Sequence, residues 1–343
     1  MRLKSKDIAE ILNISPSSVS LALNNKPGVS AETRDKVNSV IEEYYSNGRL
    51  KENEEAEKAS SGNIVFVIHK TYRGIIIPSQ FFQNVTEIIQ AKAIDAGYNL
   101  EISYYNSSIE RKGFITSLKD DRIVGIILLA TEMSADDLKM YDTLEKPMVV
   151  LDARFGIGDM DSVTLNNRDA MVHAVEYARD MGHREIGYLK SYIPIPNYED
   201  RFEGYIYGLK KVGLKFREEL VYGVHCSIDG AQSDFAKILK TLNIELPTVL
   251  IADIDYIAVG AMKALKEKGY EIPDQISMIG FDDISLCTQL EPKLTTLRVD
   301  NTNIGVLAVN RLIEKINGKN DYHVNIEIGT KLIKRDSVKR LIQ

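Results

Sequence analysis

The stretch KDIAEILNISPSSVSLALN, residues 6–24, decides the fold of the N-terminal region. Apolar residues recur at helical spacing on both sides of Asn13, a residue type that tolerates the left-handed backbone of a sharp turn. Ser15 followed by Pro16 is a typical helix start, because a serine hydroxyl caps free N–H groups and proline's missing N–H is harmless in the first turn. We therefore predict two short helices joined by a tight turn, with Ser30 capping a third helix.

The second predicted helix has an apolar side and a polar side. Val19 and Leu23, four residues apart, are expected to face the first helix. The positions left to face outward are Ser17, Ser18, Ser20, Leu21 and Asn24. Hydroxyl and amide groups can donate hydrogen bonds to phosphates and base edges, and the second helix of such a pair is the one that enters the major groove of DNA. A small helical cap with solvated serines is the plain alternative, and the pattern alone does not decide between the two.

The composition is that of a globular protein of two or three domains. The 343 residues are 44% hydrophobic and 27% charged, and no apolar run reaches the length that spans a bilayer. The N-terminus shows no apolar signal segment, so we expect a cytoplasmic protein without a membrane partner. Cys226 and Cys287 are too far apart for a metal site, and the five histidines show no ligand spacing. We therefore expect reduced cysteines and neither a metal nor a cofactor.

Charge is unevenly distributed along the chain. The net charge of −6 argues against a protein that binds nucleic acid over its whole surface. Residues 1–51 contain eight Lys or Arg and six Asp or Glu, a net charge of +2, so the remainder carries −8. A small basic head on an acidic body fits DNA binding through the head only.

The rest of the chain alternates between strand and helix patterns. Residues 46–62 contain almost no apolar side chains and are predicted to form a linker. Short buried strands are then predicted at 63–68, 100–104, 125–129, 148–151, 186–189, 249–252 and 277–279, with helices between them. Such alternation favours parallel sheets wrapped by helices, and a region this long exceeds one sheet, so two similar lobes are expected.

Motifs along nearly the whole chain resemble the lactose-repressor/galactose-repressor family. The head motif covers residues 6–24 and 29–37. The body motifs, in the family's order, are Gln80-Phe81-Phe82, Met181–Ile186, Arg201–Tyr205, Gly280–Ile284, Leu294–Leu297 and Lys334–Ser337. The resemblance implies an N-terminal all-α helix-turn-helix headpiece followed by an α/β core of two lobes, similar to the type I periplasmic binding proteins.

The resemblance also implies the domain boundaries. The head is expected at residues 1–47, a linker or atypical hinge at 48–62, and an effector-binding and dimerisation core at 63–343. Within the core, lobe one is expected at about 63–163 and 298–325, and lobe two at about 164–297 and 326–343. A small ligand would lie between the lobes, in agreement with the tendency of parallel sheets to bind ligands beyond the carboxyl ends of their strands.

The family's functional residues can be carried over to matching positions of this chain. The expected effector-binding residues are Phe81, Phe82, Asp152, Arg201, Asp255 and Asp282. Aromatic faces, carboxylates and a planar guanidinium suit a polyhydroxylated ring, so a sugar or sugar derivative is the expected effector. For each residue taken alone, a surface salt bridge or a strand-end cap is the alternative. The expected DNA-binding residues are Ser5, Pro16, Ser17, Ser18, Ser20, Leu21 and Asn24.

Three parts of the chain depart from the family pattern. Residues 52–57 read ENEEAE where the family has a basic hinge with a leucine that enters the minor groove, and phosphates would repel these acids. Leu50 is the only candidate for that leucine, so a solvated linker is expected there. Leu21 replaces a polar or basic base-reading residue, which favours contact with a thymine methyl group. Ile254 replaces an asparagine, which removes an expected hydrogen bond to the ligand.

These observations predict a homodimeric transcription regulator, expected to be a repressor, that binds a roughly palindromic operator DNA. One small head makes too few contacts by itself, and a two-fold pair of heads reads two half-sites. The alternative is a cytoplasmic small-molecule-binding protein with a weak or vestigial head, which the acidic linker favours. An enzyme is disfavoured, because the sequence contains no phosphate-binding loop, no H-E-x-x-H and no G-x-S-x-G pattern.

Overall fold

The computed structural model divides the chain into two compact units, residues 1–61 and 62–343. It describes residues 9, 12, 14–23, 29–30, 33, 36–37, 61–72, 80–155, 160–241, 245–318 and 322–341. The acidic segment 52–57, Leu50 and almost all of the expected linker 48–62 lie outside the described residues. The predictions made for that segment therefore remain predictions.

The first unit contains the predicted second helix, α1, at Pro16–Leu23. The Ser15 hydroxyl oxygen accepts a hydrogen bond from the Ser18 backbone N–H at 3.1 Å, which confirms Ser15 as the cap of this helix. Ser30 likewise accepts from the Thr33 N–H at 3.1 Å at the start of the next helical segment. A small apolar core includes the buried residues Ala9, Val19, Ala22 and Val37. The inward direction predicted for Val19 is confirmed.

The described part of the second unit contains twelve strands and eight α-helices. The strands are β1 Asn63–Lys70, β2 Asn99–Asn106, β3 Ile123–Leu129, β4 Met148–Leu151, β5 Asp161–Leu165, β6 Ile186–Ser191, β7 Val221–Val224, β8 Val249–Ala252, β9 Ser277–Asp282, β10 Thr295–Arg298, β11 Asn325–Ile328 and β12 Lys331–Ile333. The helices are α2 Gln80–Asp95, α3 Arg111–Ser117, α4 Ala135–Leu138, α5 Asn167–Asp180, α6 Pro196–Lys211, α7 Ile228–Thr241, α8 Asp255–Glu267 and α9 Asn301–Ile316.

The strands form two six-stranded sheets, one in each lobe. The order in lobe one is β11-β5-β4-β3-β1-β2, and the order in lobe two is β12-β10-β9-β8-β6-β7. Neighbouring strands are parallel except for the antiparallel pair β10 and β12. The inner strands β3, β4 and β8 are continuous apolar runs, as expected for strands covered by helices on both faces. The predicted α/β architecture of two lobes is confirmed.

The chain crosses between the lobes at three places, and each lies slightly beyond the predicted boundary. Strand β5 continues to Leu165 instead of ending at 163, and β10 includes Arg298 in lobe two. Strand β11 belongs to the sheet of lobe one through Ile328, where the sequence motif placed the crossing at 325/326. The boundaries shift because of backbone pairing between β5 and β11, in which Thr164 lies opposite Glu327. These polar residues show no strand pattern in the sequence, but their pairing lengthens both strands.

The described helices include none that combines the length and the apolar composition of a bilayer-spanning segment. The helices of the second unit are instead amphipathic and cover the two sheets. In α2, for example, the buried side chains Phe81, Val85, Ile89 and Ala93 recur every four residues or so and pack in the core of lobe one. This packing places the N-terminal turn of α2 at the carboxyl end of the sheet, where the candidate site lies.

Candidate functional site

A cavity of about 360 Å³ lies between the carboxyl ends of the two sheets. Lobe one contributes the ends of β3, β4 and β5 and the first turn of α2, and lobe two contributes the segments that follow β6, β7, β8 and β9. The lining residues are Phe81, Phe82, Thr131, Asp152, Leu165, Ile195, Asn197, Tyr198, Arg201, Cys226, Ser227, Ile228, Asp229, Ile254, Tyr256, Lys263 and Asp282. Five of the six residues expected to bind an effector are among them.

Asp152 is the buried carboxylate of the lobe-one wall. It directly follows β4, has a backbone φ of 65°, and is only 2% exposed. Its Oδ2 accepts a hydrogen bond from the Thr131 hydroxyl at 2.6 Å, its buried Oδ1 makes no hydrogen bond of full geometry with a described residue, and the Asn197 amide lies close enough to lower the pKa of the carboxyl group. Burial raises the pKa of Asp152 to about 6. Because an unsatisfied buried acceptor is costly, Oδ1 is suited to a ligand that donates a hydrogen bond.

Phe81 and Phe82 are the aromatic part of the same wall. Their rings meet edge to face, with centroids 5.0 Å apart and planes at 86°. Phe81 is buried in the core of lobe one, and Phe82 packs against it while staying partly exposed. Since the rings are perpendicular, only one of them can stack face to face on a given flat ligand ring.

Arg201, on α6, is the main cation of the lobe-two wall and is held in place from three sides. Its Nε donates to Asn167 Oδ1 at 2.8 Å, and its Nη1 donates to the carbonyl oxygen of Asp253 at 2.6 Å. Its guanidinium carbon lies 3.6 Å from the centroid of the Phe281 ring. At 4% exposure, the guanidinium is both desolvated and oriented before any ligand arrives.

Asp282 ends β9 beside Arg201. Its Oδ1 lies 4.0 Å from Arg201 Nη2, and its backbone φ of 110° is unusual for a residue with a side chain. Burial raises the pKa of Asp282 to about 8, against the opposing effect of the Arg201 charge, and the nearby carboxylates of Asp255 and Asp152 raise it further. At neutral pH this carboxyl group therefore holds its proton more often than not, and it can donate as well as accept a hydrogen bond.

The structure does not place Asp255, an expected effector-binding residue, in the lining of the cavity. Asp255 is fully buried at the first position of α8, and its side chain points back toward lobe two. Its carboxylate accepts hydrogen bonds from the Ile284 N–H, the Cys287 thiol and the Thr296 hydroxyl, the last at 2.7 Å. The residues on either side of it, Ile254 and Tyr256, line the cavity instead. Asp255 thus anchors the loop after β9 and does not contact the cavity.

Sequence reasoning missed several polar residues of the cavity. These are Thr131, Asn197, Tyr198, Ser227, Asp229 and Lys263. Thr131 follows the end of a predicted strand, so the strand-end rule could have found it, whereas Ser227 follows β7, a strand that the sequence pattern did not predict. Lys263 lies inside α8, and no local sequence signal distinguishes it from a solvated helix lysine.

The structure describes only part of the predicted DNA-binding surface. Ser18 is half-buried, and its hydroxyl lies 2.8 Å from that of Ser15, so it belongs to the helix cap. Leu21 is also half-buried, although the sequence pattern placed it outward. Ser5 and Asn24 lie outside the described residues, as do the side chains of Pro16, Ser17, Ser20 and the inward-facing candidate Leu23.

The described residues contain no group of three or more His, Cys, Asp or Glu side chains that could hold a metal ion. Cys226 and Cys287 are both buried and free. Burial raises the pKa of each thiol, which keeps it in the neutral form.

Two parts of the chain match known families. Residues 5–46 match the bacterial regulatory proteins of the lacI family, and residues 175–338 match the periplasmic binding protein-like domain. The HTH-type transcriptional repressor PurR of Pasteurella multocida is 27% identical over 340 residues, covering 97% of this chain and 98% of that protein.

Solved structures share the fold along nearly the whole chain. A transcriptional regulator CelR–cellobiose complex has a TM-score of 0.73 at 19% identity and covers 98% of this chain and 100% of that one. The lac repressor dimer bound to operator and the anti-inducer ONPF has a TM-score of 0.71 at 21% identity and covers 99% and 100%.

A helix-turn-helix unit joined to a two-lobed core with a cleft between parallel sheets defines a DNA-binding regulator with a ligand-binding module. The family matches agree with this class in both units. The chain combines a lacI-family DNA-binding domain at residues 5–46 with a periplasmic binding protein-like domain at residues 175–338, and its similar relatives include HTH-type transcriptional repressors.

Proposed function

We propose that this chain is a homodimeric transcriptional repressor whose operator binding is controlled by a small polyhydroxylated effector, a sugar or sugar derivative. The observation that carries the proposal is the buried carboxyl group of Asp152, facing Arg201 and Asp282 of the opposite lobe across one cavity. Carboxylate acceptors and a fixed guanidinium on facing walls match the alternating hydroxyl groups of a sugar ring. The cellobiose bound by CelR, a protein of the same fold, is consistent with this class of ligand.

In this proposal each side chain has a separate task. Asp152 Oδ1 accepts a hydrogen bond from a ligand hydroxyl, and Arg201 donates one from its guanidinium. Asp282 bonds a second hydroxyl from lobe two, and Phe82 stacks on the apolar face of the ring. The ligand then makes hydrogen bonds to both lobes, so it binds more tightly when the lobes are close together than when they are apart. This difference in affinity shifts the protein toward the arrangement with the lobes closed.

The head is proposed to bind the operator through its predicted DNA-binding residues. Ser17, Ser20 and Asn24 would contact phosphates and base edges, and Leu21 would contact a thymine methyl group. Two heads are needed, because a single small helix-turn-helix makes few contacts and a two-fold pair reads two half-sites. The lac repressor of similar fold is a dimer on its operator.

An exposed apolar face supports the homodimer. Tyr104 is 50% exposed and Ile102 is 37% exposed on the edge strand β2, and Ile94 is 59% exposed near the end of α2. Large apolar side chains grouped on one surface commonly mark a protein interface. Light scattering after size-exclusion chromatography of the full chain is expected to give twice the monomer mass. A Tyr104→Lys variant is expected to contain more monomer and less dimer.

A gel-shift series tests the proposal. The full chain is titrated onto the DNA upstream of its own gene and onto shuffled DNA of the same length, at several salt concentrations. We expect a preference for the upstream DNA of at least about a thousandfold and a steep loss of affinity with salt, as phosphate contacts require. Equal affinity for both DNAs at every salt concentration would leave a small-molecule-binding protein with a vestigial head as the better account.

A further inference from the structure

The cavity between the lobes has a polar end and an apolar end. Along the sheet of lobe two, the strand order β9-β8-β6-β7 sets the order of the side chains that follow each strand. Asp282 is the last residue of β9, whereas Ile254 follows β8, Ile195 follows β6 and Cys226 follows β7. One carboxylate is thus followed by three apolar side chains across three neighbouring strands.

The charged groups gather at the β9 end. The Arg201 guanidinium lies over the ring of Phe281, which belongs to β9, and 4.0 Å from Asp282. Asp152 of lobe one lies close enough for its charge to act on both Arg201 and Asp282. The ligand hydroxyl groups of the proposed function would therefore occupy this end.

The opposite end is a continuous apolar surface. Ile195, Cys226 and Ile254 belong to one buried hydrophobic cluster, and Tyr256 packs against it. Tyr198 of the same cluster lies between the two ends, with its ring centroid 5.7 Å from the Arg201 guanidinium carbon. The Ser227 hydroxyl at this end is within hydrogen-bond distance of His225 Nδ1 at 2.9 Å, and Asp229 is exposed at the rim. A ligand at this end meets mainly apolar side chains.

Two helices that begin at this surface have no side-chain N-cap. Ile254 occupies the N-cap position of α8 and Ile195 that of α6, and neither helix has a side-chain cap. Serine, threonine, aspartate and asparagine are the favoured residues at this position because they bond the free N–H groups. Both isoleucines are buried in the hydrophobic cluster of lobe two and also line the cavity, so an apolar side chain stands at each cap position.

From this arrangement we infer that the effector carries a flat apolar group attached to its hydroxylated ring. An aryl glycoside and a nucleoside both have this chemistry, and they differ in the sugar and in the polarity of the flat group. The inference rests on the proposed function, since it describes the ligand of the same cleft. The sugar ring lies at the Asp152–Arg201–Asp282 end, and the flat group lies against Ile195, Cys226 and Ile254.

Matched ligand pairs test the inference by isothermal titration of the full chain. The pairs are phenyl and methyl β-D-glucopyranoside, phenyl and methyl β-D-galactopyranoside, and adenosine and methyl β-D-ribofuranoside. We expect at least one pair in which the aromatic member binds about tenfold or more tightly than the methyl member, the size of effect that apolar pockets give. A preference in a glucoside or galactoside pair indicates an aryl glycoside effector, and a preference in the adenosine pair indicates a nucleoside.

Substitution at the apolar end completes the test. In Ile254→Asn the aromatic preference is expected to fall below about threefold while the methyl member binds as in the parent chain. Ile195→Asn provides a second variant should the first fail to fold, and Ile109→Asn, at an exposed turn of lobe one, is the matched control.

Two negative results would have different meanings. Equal affinity within every pair that binds, or an unchanged preference in both folded variants, overturns the inference and leaves a sugar effector in place. If no member of any pair binds and none alters the gel shift, the proposed effector control fails together with the inference.

Discussion

The guanidinium of Arg201 is stacked on the ring of Phe281, with 3.6 Å between the guanidinium carbon and the ring centroid. This contact turns the charge of a helix residue toward the end of β9, because α6 and β9 both pack around the same carboxyl edge. In this position the Arg201 charge acts on the carboxyl groups of both lobes, Asp282 in lobe two and Asp152 in lobe one.

Replacing the guanidinium of Arg201 should weaken the effector response and leave operator binding intact. In Arg201→Lys the charge remains, but an ammonium group cannot keep both the Asn167 bond and the Phe281 stack. We expect the effector concentration for half release, read from gel shifts, to rise at least about tenfold. Arg154→Lys, at a partly exposed arginine paired with Glu327, is the control. A dose response equal to the parent's would count against the placement of Arg201.

Neutralising Asp282 should change how stability depends on pH. The pKa of Asp282 is about 8 in the folded protein and 3.8 in the unfolded chain. The contribution of this group to the free energy of unfolding is therefore complete below pH 4 and is lost as the pH rises through 8. Asp282→Asn is therefore expected to gain stability relative to the parent between pH 5 and pH 9, by about 1 to 3 kcal/mol. Thermal melts across this range measure the difference, with the exposed Asp142→Asn as control. A constant difference would refute the burial of a protonated carboxyl group.

A buried ion cluster should hold the edge of lobe one together. Asp161 is fully buried at the start of β5 and bonds Arg311 Nε at 2.6 Å, the Lys315 ammonium, and the Val324 N–H at 2.8 Å. Asp161→Asn removes the buried negative charge that faces Arg311 and Lys315, so a loss of about 3 to 5 kcal/mol in the free energy of unfolding is expected. Urea unfolding measures it, and Glu314→Gln, at the exposed partner of the same arginine, should change stability by less than about 1 kcal/mol.

Losing the cap of α1 should weaken the head without affecting the core. Ser15→Ala removes the oxygen that accepts from the Ser18 N–H, and such changes cost about 1 kcal/mol of helix stability. Amide hydrogen exchange in the full chain should show faster exchange in α1 and unchanged exchange in β3 and β8, together with weaker operator binding. Ser108→Ala, at an exposed turn of the core, serves as the matched control, and equal protection in both variants would argue against the cap.

The sequence predicted the elements that rest on local rules. The start of α1 was readable because Ser15 and Pro16 have distinct capping chemistry, and the inner strands were readable because burial on both faces makes them continuously apolar. Phe81, Phe82, Asp152, Arg201 and Asp282 were predicted from the family resemblance, and the structure brings these five to one cavity.

Other features depend on contacts between segments distant in the chain. The sequence by itself determined the order of helices and strands, because periodicity and capping act over a few residues. Only the tertiary structure decided that Asp255 points into lobe two while Ile254 faces the cleft. The side chains of these adjacent residues point in different directions because Asp255 bonds to residues 284, 287 and 296, which are distant in the sequence. It also decided where the lobes begin, because pairing of Thr164 with Glu327 extends strands that show no pattern of their own. The apolar end of the cleft arises in the same way, from side chains that only the strand order brings together.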